Sequence, residues 1–104
     1  MSRIEVVTGV LNSVVQLIVS FPKQAQITTR MTSDGAGREV VCFEIVVHES
    51  DRGRLIGKGG ANMRALRVLL NSAGYLSGAR YRVNCKDETQ AQQVTVSARI
   101  EGED

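Results

Sequence analysis

The N-terminal part of the chain carries a stripe of apolar side chains at spacings of three and four. The stripe consists of Ile4, Val7, Leu11, Val14 and Ile18, with Val10 and Leu17 beside it. Because an α-helix has about 3.6 residues per turn, these positions fall on one side of a helix. The pattern therefore predicts an amphipathic helix over residues 3–20. It should end before Pro22, because proline disfavours helical geometry in the residue that precedes it.

A period of two then replaces the helical spacing. From Gln24 to Thr32 apolar and polar side chains alternate, which predicts a half-buried strand. Residues 33–37 are small and include two glycines, so we expect the chain to reverse there into a second strand, Glu39 to Val47. This second strand is apolar on both faces, as is typical of a central position in a sheet.

A glycine-rich segment separates two helical segments in the second half of the chain. A short helix through residues 54–56, capped by Ser50 or Asp51, is broken at Gly57-Lys58-Gly59-Gly60. A longer helix follows from about Ala61 to Ala73, with Gly74 placed to end it. Its inward positions are expected to be Met63, Leu66, Leu69, Leu70 and Ala73. Alternation from Arg80 to Lys86 predicts a third strand.

The C-terminal extension, residues 87–104, is polar and acidic. Within it Val94, Val96, Ala98 and Ile100 alternate with polar residues, which predicts an added fourth strand near 94–100. The sequence therefore indicates one α+β domain over residues 1–86, followed by this extension.

Length and composition restrict the class of protein. At 104 residues, 42% hydrophobic and 23% charged, the chain has the composition of one soluble folded domain. Its longest apolar runs are far shorter than the roughly 20 residues that span a bilayer, and its start does not resemble a signal peptide. We therefore expect a cytoplasmic protein with no membrane segment. Cys42 and Cys85 lie in apolar alternating runs without nearby ligands, so we expect buried thiols and no metal site.

The net charge of +2 conceals an uneven distribution. Residues 1–86 hold 12 Lys and Arg against 6 Asp and Glu, whereas residues 87–104 have a net charge of −4. The excess is strongest over residues 51–67, where five cations accompany a single acid, Asp51. A basic domain of this kind favours a polyanionic partner.

The segment Gly57-Lys58-Gly59-Gly60 carries the strongest candidate chemistry. Glycines let the backbone approach a ligand closely, and the helix that begins there adds the positive end of its dipole. With the ammonium of Lys58, such a loop suits a phosphate group. It is not a P-loop, because three residues rather than four separate Gly53 from Gly57 and no Ser or Thr follows Lys58. A dinucleotide fingerprint also fails, because its third glycine would fall on Asn62.

The run from Asp51 to Arg67, DRGRLIGKGGANMRALR, resembles the signature of KH domains, most closely that of small bacterial KhpA-like proteins. The similarity lies in an acidic residue and a glycine ahead of an Ile-Gly-x-x-Gly core, followed by a basic helix, and the resemblance covers about residues 5–86. It implies the type II KH fold, with the order α-β-β-α-α-β. Three helices would then cover one face of a three-stranded mixed sheet.

The resemblance also implies a function in binding RNA. A KH groove clamps about four nucleotides of a single strand, and Gly57, Lys58, Gly59 and Gly60 would hold its backbone. Ile56 would lie on the groove floor. The arginines that would flank the phosphates or line the opposite wall are Arg54, Arg64, Arg67, Arg80 and Arg82.

Further implications concern partners and role. The resemblance implies an RNA chaperone or post-transcriptional regulator that forms a homodimer or pairs with a larger KH/R3H protein. Gly59 stands where the family more often has a polar or basic side chain, which favours weaker binding.

An alternative interpretation is a protein–protein interaction and dimerisation module of a larger ribonucleoprotein assembly, with a vestigial loop. We expect neither enzymatic activity nor a cofactor, because no nucleophile–base set and no paired carboxylates stand out in the sequence. Asp51 is expected to cap the short helix, and His48 to end a strand.

Overall fold

The computed structural model of the chain describes residues 2–87. Its elements are α1 (Arg3–Ile18), β1 (Gln26–Ser33), β2 (Glu39–Val46), α2 (Arg52–Ile56), α3 (Ala61–Ser77) and β3 (Arg80–Cys85), with three-residue 3-10 turns at Pro22–Gln24, Glu49–Asp51 and Lys58–Gly60. This α-β-β-α-α-β order confirms the prediction. The fourth strand predicted near 94–100, like the rest of the acidic extension beyond Asp87, lies outside the described residues.

The sheet places β2 at its centre, in the order β1-β2-β3. β2 is antiparallel to β1 and parallel to β3, so the sheet is mixed. The prediction of a central, two-sided apolar strand is therefore confirmed. One face of the sheet holds the buried residues Val41, Phe43 and Ile45 of β2 and Tyr81, Val83 and Cys85 of β3.

All three helices cover that buried face. They contribute Val7, Leu11 and Val15 from α1, Leu55 and Ile56 from α2, and Met63, Leu66 and Leu70 from α3. The buried side of α1 is turned slightly from the predicted stripe, since Val15 is buried whereas Leu17 is 86% exposed. β1 is an edge strand and is less buried than predicted: Ile27 is half-buried, but Met31 is 53% exposed.

The C-terminal half of α3 differs from the prediction. The helix continues through Gly74 to Ser77 and ends at Gly78, whose φ of 77° is left-handed. Gly74 is needed for close packing instead: a Cβ there would lie 2.6 Å from the carbonyl oxygen of Ala79. Leu69, predicted to face inward, is 62% exposed, because it is turned by about 100° from the buried Leu70.

We predict that Gly74→Ala destabilises the fold by about 1–3 kcal/mol, although alanine is the better helix former. The added methyl group would force α3 and β3 apart. Gly9→Ala in α1 is the matched control, because a Cβ there meets nothing within 4 Å; it should leave stability unchanged or raise it by up to about 1 kcal/mol. Urea unfolding followed by circular dichroism measures both, and equal effects would contradict the packing explanation.

Candidate nucleic-acid interface

The glycine loop between α2 and α3 is a tight turn with a defined backbone. Gly57, Gly59 and Gly60 have φ values of 83°, 62° and 80°, a region that side-chain-bearing residues rarely adopt. The amide of Gly57 donates to the carbonyl of Gly53 at 2.9 Å and ends α2, and the amide of Gly60 donates to the carbonyl of Gly57 at 2.9 Å. The loop therefore redirects the chain from one helix to the next within four residues.

Asn62 locks this turn from the first turn of α3. Its side-chain amide donates to the carbonyl of Arg54 at 3.0 Å, which joins the start of α3 to α2. A Cβ at Gly57 would lie 2.8 Å from both the backbone nitrogen and the Cγ of Asn62. Sequence reasoning did not select Asn62, because its role depends on a closeness that only the folded turn creates.

Two cations accompany the loop. Lys58 is exposed, and its ammonium has no hydrogen-bond or ion-pair partner within residues 2–87. The guanidinium of Arg64 donates to the carbonyl oxygen of Gly59. This contact restrains the backbone at Gly59, and it holds a second positive charge beside Lys58.

Asp51 occupies the N-cap position of α2, as predicted, but its side chain makes no capping bond there and instead joins α2 to the end of α1. Its carboxylate is only 2% exposed and accepts hydrogen bonds from the amides of Ser20 at 2.9 Å and Phe21 at 3.1 Å. These bonds, that from Ser20 above all, hold the pKa of Asp51 below its ordinary value. The carboxylate is thereby turned away from the glycine loop.

Arg54 takes part in the same connection between helices. Its guanidinium donates to the hydroxyl of Ser20 at 3.0 Å and lies 3.5 Å from the carbonyl oxygen of Ile18, at the C-terminal end of α1. This is a favourable place for a cation, because helix carbonyls carry partial negative charge there. Arg54 is exposed, but its guanidinium is hydrogen-bonded to the end of α1, so it stabilises the position of α2 as well as adding charge near the loop.

The other predicted site residues lie in three different environments. Ile56 is 4% exposed and belongs to the hydrophobic core, so it offers little surface to a ligand. Arg67 lies over the outer edge of β3, where its Nε donates to the carbonyl of Val83 at 3.1 Å. Arg80 and Arg82 are exposed on the sheet face opposite the helices. The structure thus brings together Gly57–Gly60 and Arg64, places Arg67 at the strand edge, and puts Arg80 and Arg82 on the other face.

Among residues 2–87, no group of three His, Cys, Asp or Glu side chains could hold a metal ion, and no helix is long and apolar enough to cross a membrane. Cys85 is buried and Cys42 is half-buried, both as free thiols. His48 forms a local turn, with its Nδ1 2.8 Å from the hydroxyl oxygen of Ser50.

Comparison with known proteins agrees with this architecture. The family profile described as the KhpA/KhpB KH domain matches residues 9–85. The chain belongs to this KH family. It is also similar to the RNA-binding protein KhpA of Thermotoga maritima, with 36% identity over 62 residues that cover 60% of this chain and 76% of that protein. The order of elements and the mixed sheet are those of a type II KH domain, as the resemblance implied.

We predict that Asp51→Asn destabilises the KH domain and removes an acid-sensitive part of its stability. The pKa of Asp51 in the folded state lies below the ordinary value of 3.8. The contribution of its carboxylate to the free energy of unfolding is therefore complete above pH 3.8 and is lost as the pH falls through the folded-state pKa. The variant should therefore unfold several degrees lower at pH 7. This difference from the parent should narrow as the pH falls below 3.8. Thermal unfolding across a pH series measures both effects.

Asp34→Asn is the matched control for this change. The pKa of Asp34 is also lowered, first by the hydrogen bond from the amide of Arg38. Both of its backbone bonds, from Ala36 at 2.9 Å and Arg38 at 2.8 Å, reach the same oxygen, Oδ1. Asparagine at position 34 can therefore accept both hydrogen bonds through its one oxygen. At Asp51 the two backbone amides reach different oxygens, so an asparagine there would turn its amide nitrogen towards one N–H group. Equal destabilisation by the two variants would contradict the role given to Asp51.

We predict that Gly57→Ala destabilises the domain by about 2–3 kcal/mol, since both its left-handed φ and its contact with Asn62 exclude a Cβ. Gly59→Asn is the matched control. Its φ of 62° is one that asparagine tolerates, and a Cβ there meets nothing within 4 Å. It should cost less than about 1 kcal/mol. Chemical unfolding measures the free energy of unfolding of both variants. If Gly57→Ala were as stable as the parent, the turn would not be sterically fixed.

Proposed function

We propose that this KH domain, residues 1–86, binds single-stranded RNA and that the loop Gly57–Gly60 holds the sugar–phosphate backbone. The observation that carries the proposal is the loop itself: three left-handed glycines present Lys58 to solvent at the start of α3. The relative from Thermotoga maritima, named as an RNA-binding protein, supports RNA as the polyanion.

The electrostatics of the loop favour an anion. α3 spans 17 residues and has no acidic residue in its first turn, so the positive end of its dipole is not offset there. Lys58 and Arg64 add two full charges, and Arg64 has donors beyond the one given to Gly59. The nearest acid in the sequence, Asp51, is buried and accepts two backbone amides, whose dipoles offset part of its charge.

The recognition mode follows from the aromatic residues. Phe43 and Tyr81 pack edge to face in the core, with ring centroids 5.7 Å apart, so neither is available to stack on a base. The two exposed aromatic residues lie elsewhere: the ring of Phe21 packs on His48, and Tyr75 lies near the end of α3 that is far from the loop. Contacts to the backbone then dominate at the loop, which favours modest affinity and modest sequence preference. A non-catalytic RNA chaperone or post-transcriptional regulator of the cytoplasm fits such binding, and a homodimer or a KH/R3H partner would strengthen it by avidity.

A second candidate function, protein–protein interaction, is favoured by a separate observation. Apolar side chains remain exposed on two helices, namely Val6, Val10 and Leu17 of α1 and Val68, Leu69 and Tyr75 of α3. Exposed apolar surface of this kind is typical of interaction sites. In this alternative the helix faces would carry the function and the loop would have little effect on it.

We predict that replacing Lys58 and Gly59 together with aspartate weakens binding of single-stranded RNA by about 50-fold or more, because two carboxylates would face the phosphates. The helical circular dichroism signal should be retained. Fluorescence anisotropy with a labelled RNA pool measures the affinity. For the parent, the logarithm of affinity should fall with the logarithm of salt concentration by about 0.7 per phosphate neutralised.

The matched control replaces Lys23 and Gly35 with aspartate. Both are exposed and lie in other turns, Lys23 between α1 and β1 and Gly35 between β1 and β2, and a Cβ at Gly35 meets nothing within 4 Å. The control has the same change in net charge as the loop variant. If both variants lose affinity equally, overall charge rather than the loop governs binding; if neither loses affinity, the alternative of an interaction module is favoured.

A further inference from the structure

The sheet face opposite the helices, here called the outer face, is rich in cations. The strand registers align its positions in rows, because paired residues of neighbouring strands point to the same side. One row contains Arg30, Cys42 and Arg82, and the row beside it contains Thr32, Val40 and Arg80. Arg30 was not among the site residues predicted from the sequence, yet it shares this surface with Arg80 and Arg82, which were.

The charges of the outer face are largely unopposed. Arg30 and Arg82 are exposed and have no hydrogen-bond or ion-pair partner within residues 2–87. Arg80 helps to lower the pKa of Asp34, whose ion pair, at 3.6 Å, is with Arg38. One acid, Glu44, lies on this part of the face, in the row that pairs it with Thr28 and Asn84.

The spacing of these cations suits an extended polyanion. Arg30 and Arg82 are separated by one strand, or about 10 Å between their backbones, and Arg80 and Arg82 by about 7 Å along β3. Half-buried Cys42 lies between Arg30 and Arg82, buried Val40 lies beside Arg80, and neither row contains an aromatic residue. The planar guanidinium group binds phosphate oxygens through paired donors, and the aromatic residues in which protein interface cores are enriched are missing from these rows, so this surface favours a nucleic acid backbone over a protein.

Arg67 connects the outer face to the glycine loop. It projects from α3 over the outer edge of β3, and its guanidinium reaches both the carbonyl of Val83 and, at 3.5 Å, the Oδ1 of Asn84. By register, Asn84 belongs to the outer face. α3 runs antiparallel to β3, since Arg67 meets Val83 whereas Gly74 meets Ala79, so the loop lies towards the C-terminal end of β3.

We infer that the outer face is a second contact surface for the same RNA strand. The inference rests on the proposed function. The RNA strand runs from the loop across the β3 edge at Arg67, and then over the row of Arg82 and Arg30, with Arg80 beside it. Short RNA then contacts the loop alone. Longer RNA contacts both surfaces and neutralises more charge on the protein.

The test compares two lengths of unstructured RNA on three double variants. An oligouridylate of about five nucleotides is long enough for a KH groove, and one of about twenty nucleotides can cross the strand edge. The outer-face variant is Arg30→Gln with Arg82→Gln. Its charge-matched control is Arg3→Gln with Lys23→Gln, at exposed positions off that face. The Lys58→Asp and Gly59→Asp variant reports on the loop, and circular dichroism confirms folding of all three.

We predict that the outer-face variant binds the longer RNA roughly 5- to 20-fold more weakly than the control, with a salt slope lower by about 1.4 for the two lost phosphate contacts. Binding of the short RNA should be equal in both. An outer-face variant that matches the control on the longer RNA overturns the inference while leaving the loop proposal standing. A loop variant that still binds short RNA like the parent overturns the loop proposal instead, and a parent that binds neither RNA contradicts both.

Discussion

The fold around the glycine loop depends on one buried carboxylate. Asp51 accepts two backbone amides from the turn that follows α1, and Arg54, one helical turn later, donates to Ser20 in the same turn. These bonds fix α2, which is only five residues long and could not be stable alone. The glycine loop begins where α2 ends, so its position depends on the contact that Asp51 makes at the opposite end of that helix. A surface charge pair could not do this, because exposed pairs contribute little stability.

Local sequence signals predicted most of the fold. Apolar periodicity located the helices and strands, and the two-sided apolar pattern of β2 identified the central strand. The errors arose where tertiary contacts override local preference. Gly74 has the properties of a helix end, yet the close approach of β3 requires a glycine inside the helix. Met31 alternates like a buried residue, but the core reaches only the beginning of this edge strand, where Ile27 packs, and Met31 lies further along it and is exposed.

The candidate site was predictable only in part, for the same reason. The glycines, Lys58 and the cations of α2 and α3 are close in sequence, so a linear motif contains them. The partners of those cations are distant: Arg67 reaches β3, and Arg54 reaches the end of α1. Arg30 joins Arg82 only through strand pairing across β2. A motif can therefore name candidate residues, whereas the sheet register decides which of them share a surface.

The parallel pairing of β2 with β3 has a consequence for how the molecule folds. Parallel neighbours need a long crossover, and here that crossover consists of α2, the glycine loop and α3. The glycine loop lies inside this crossover, so in a small domain that unfolds in one cooperative step the candidate site and the tertiary structure form together. A ligand held there would stabilise the entire native state through mass action rather than order one segment. Occupancy and resistance to unfolding are thus thermodynamically linked in this domain.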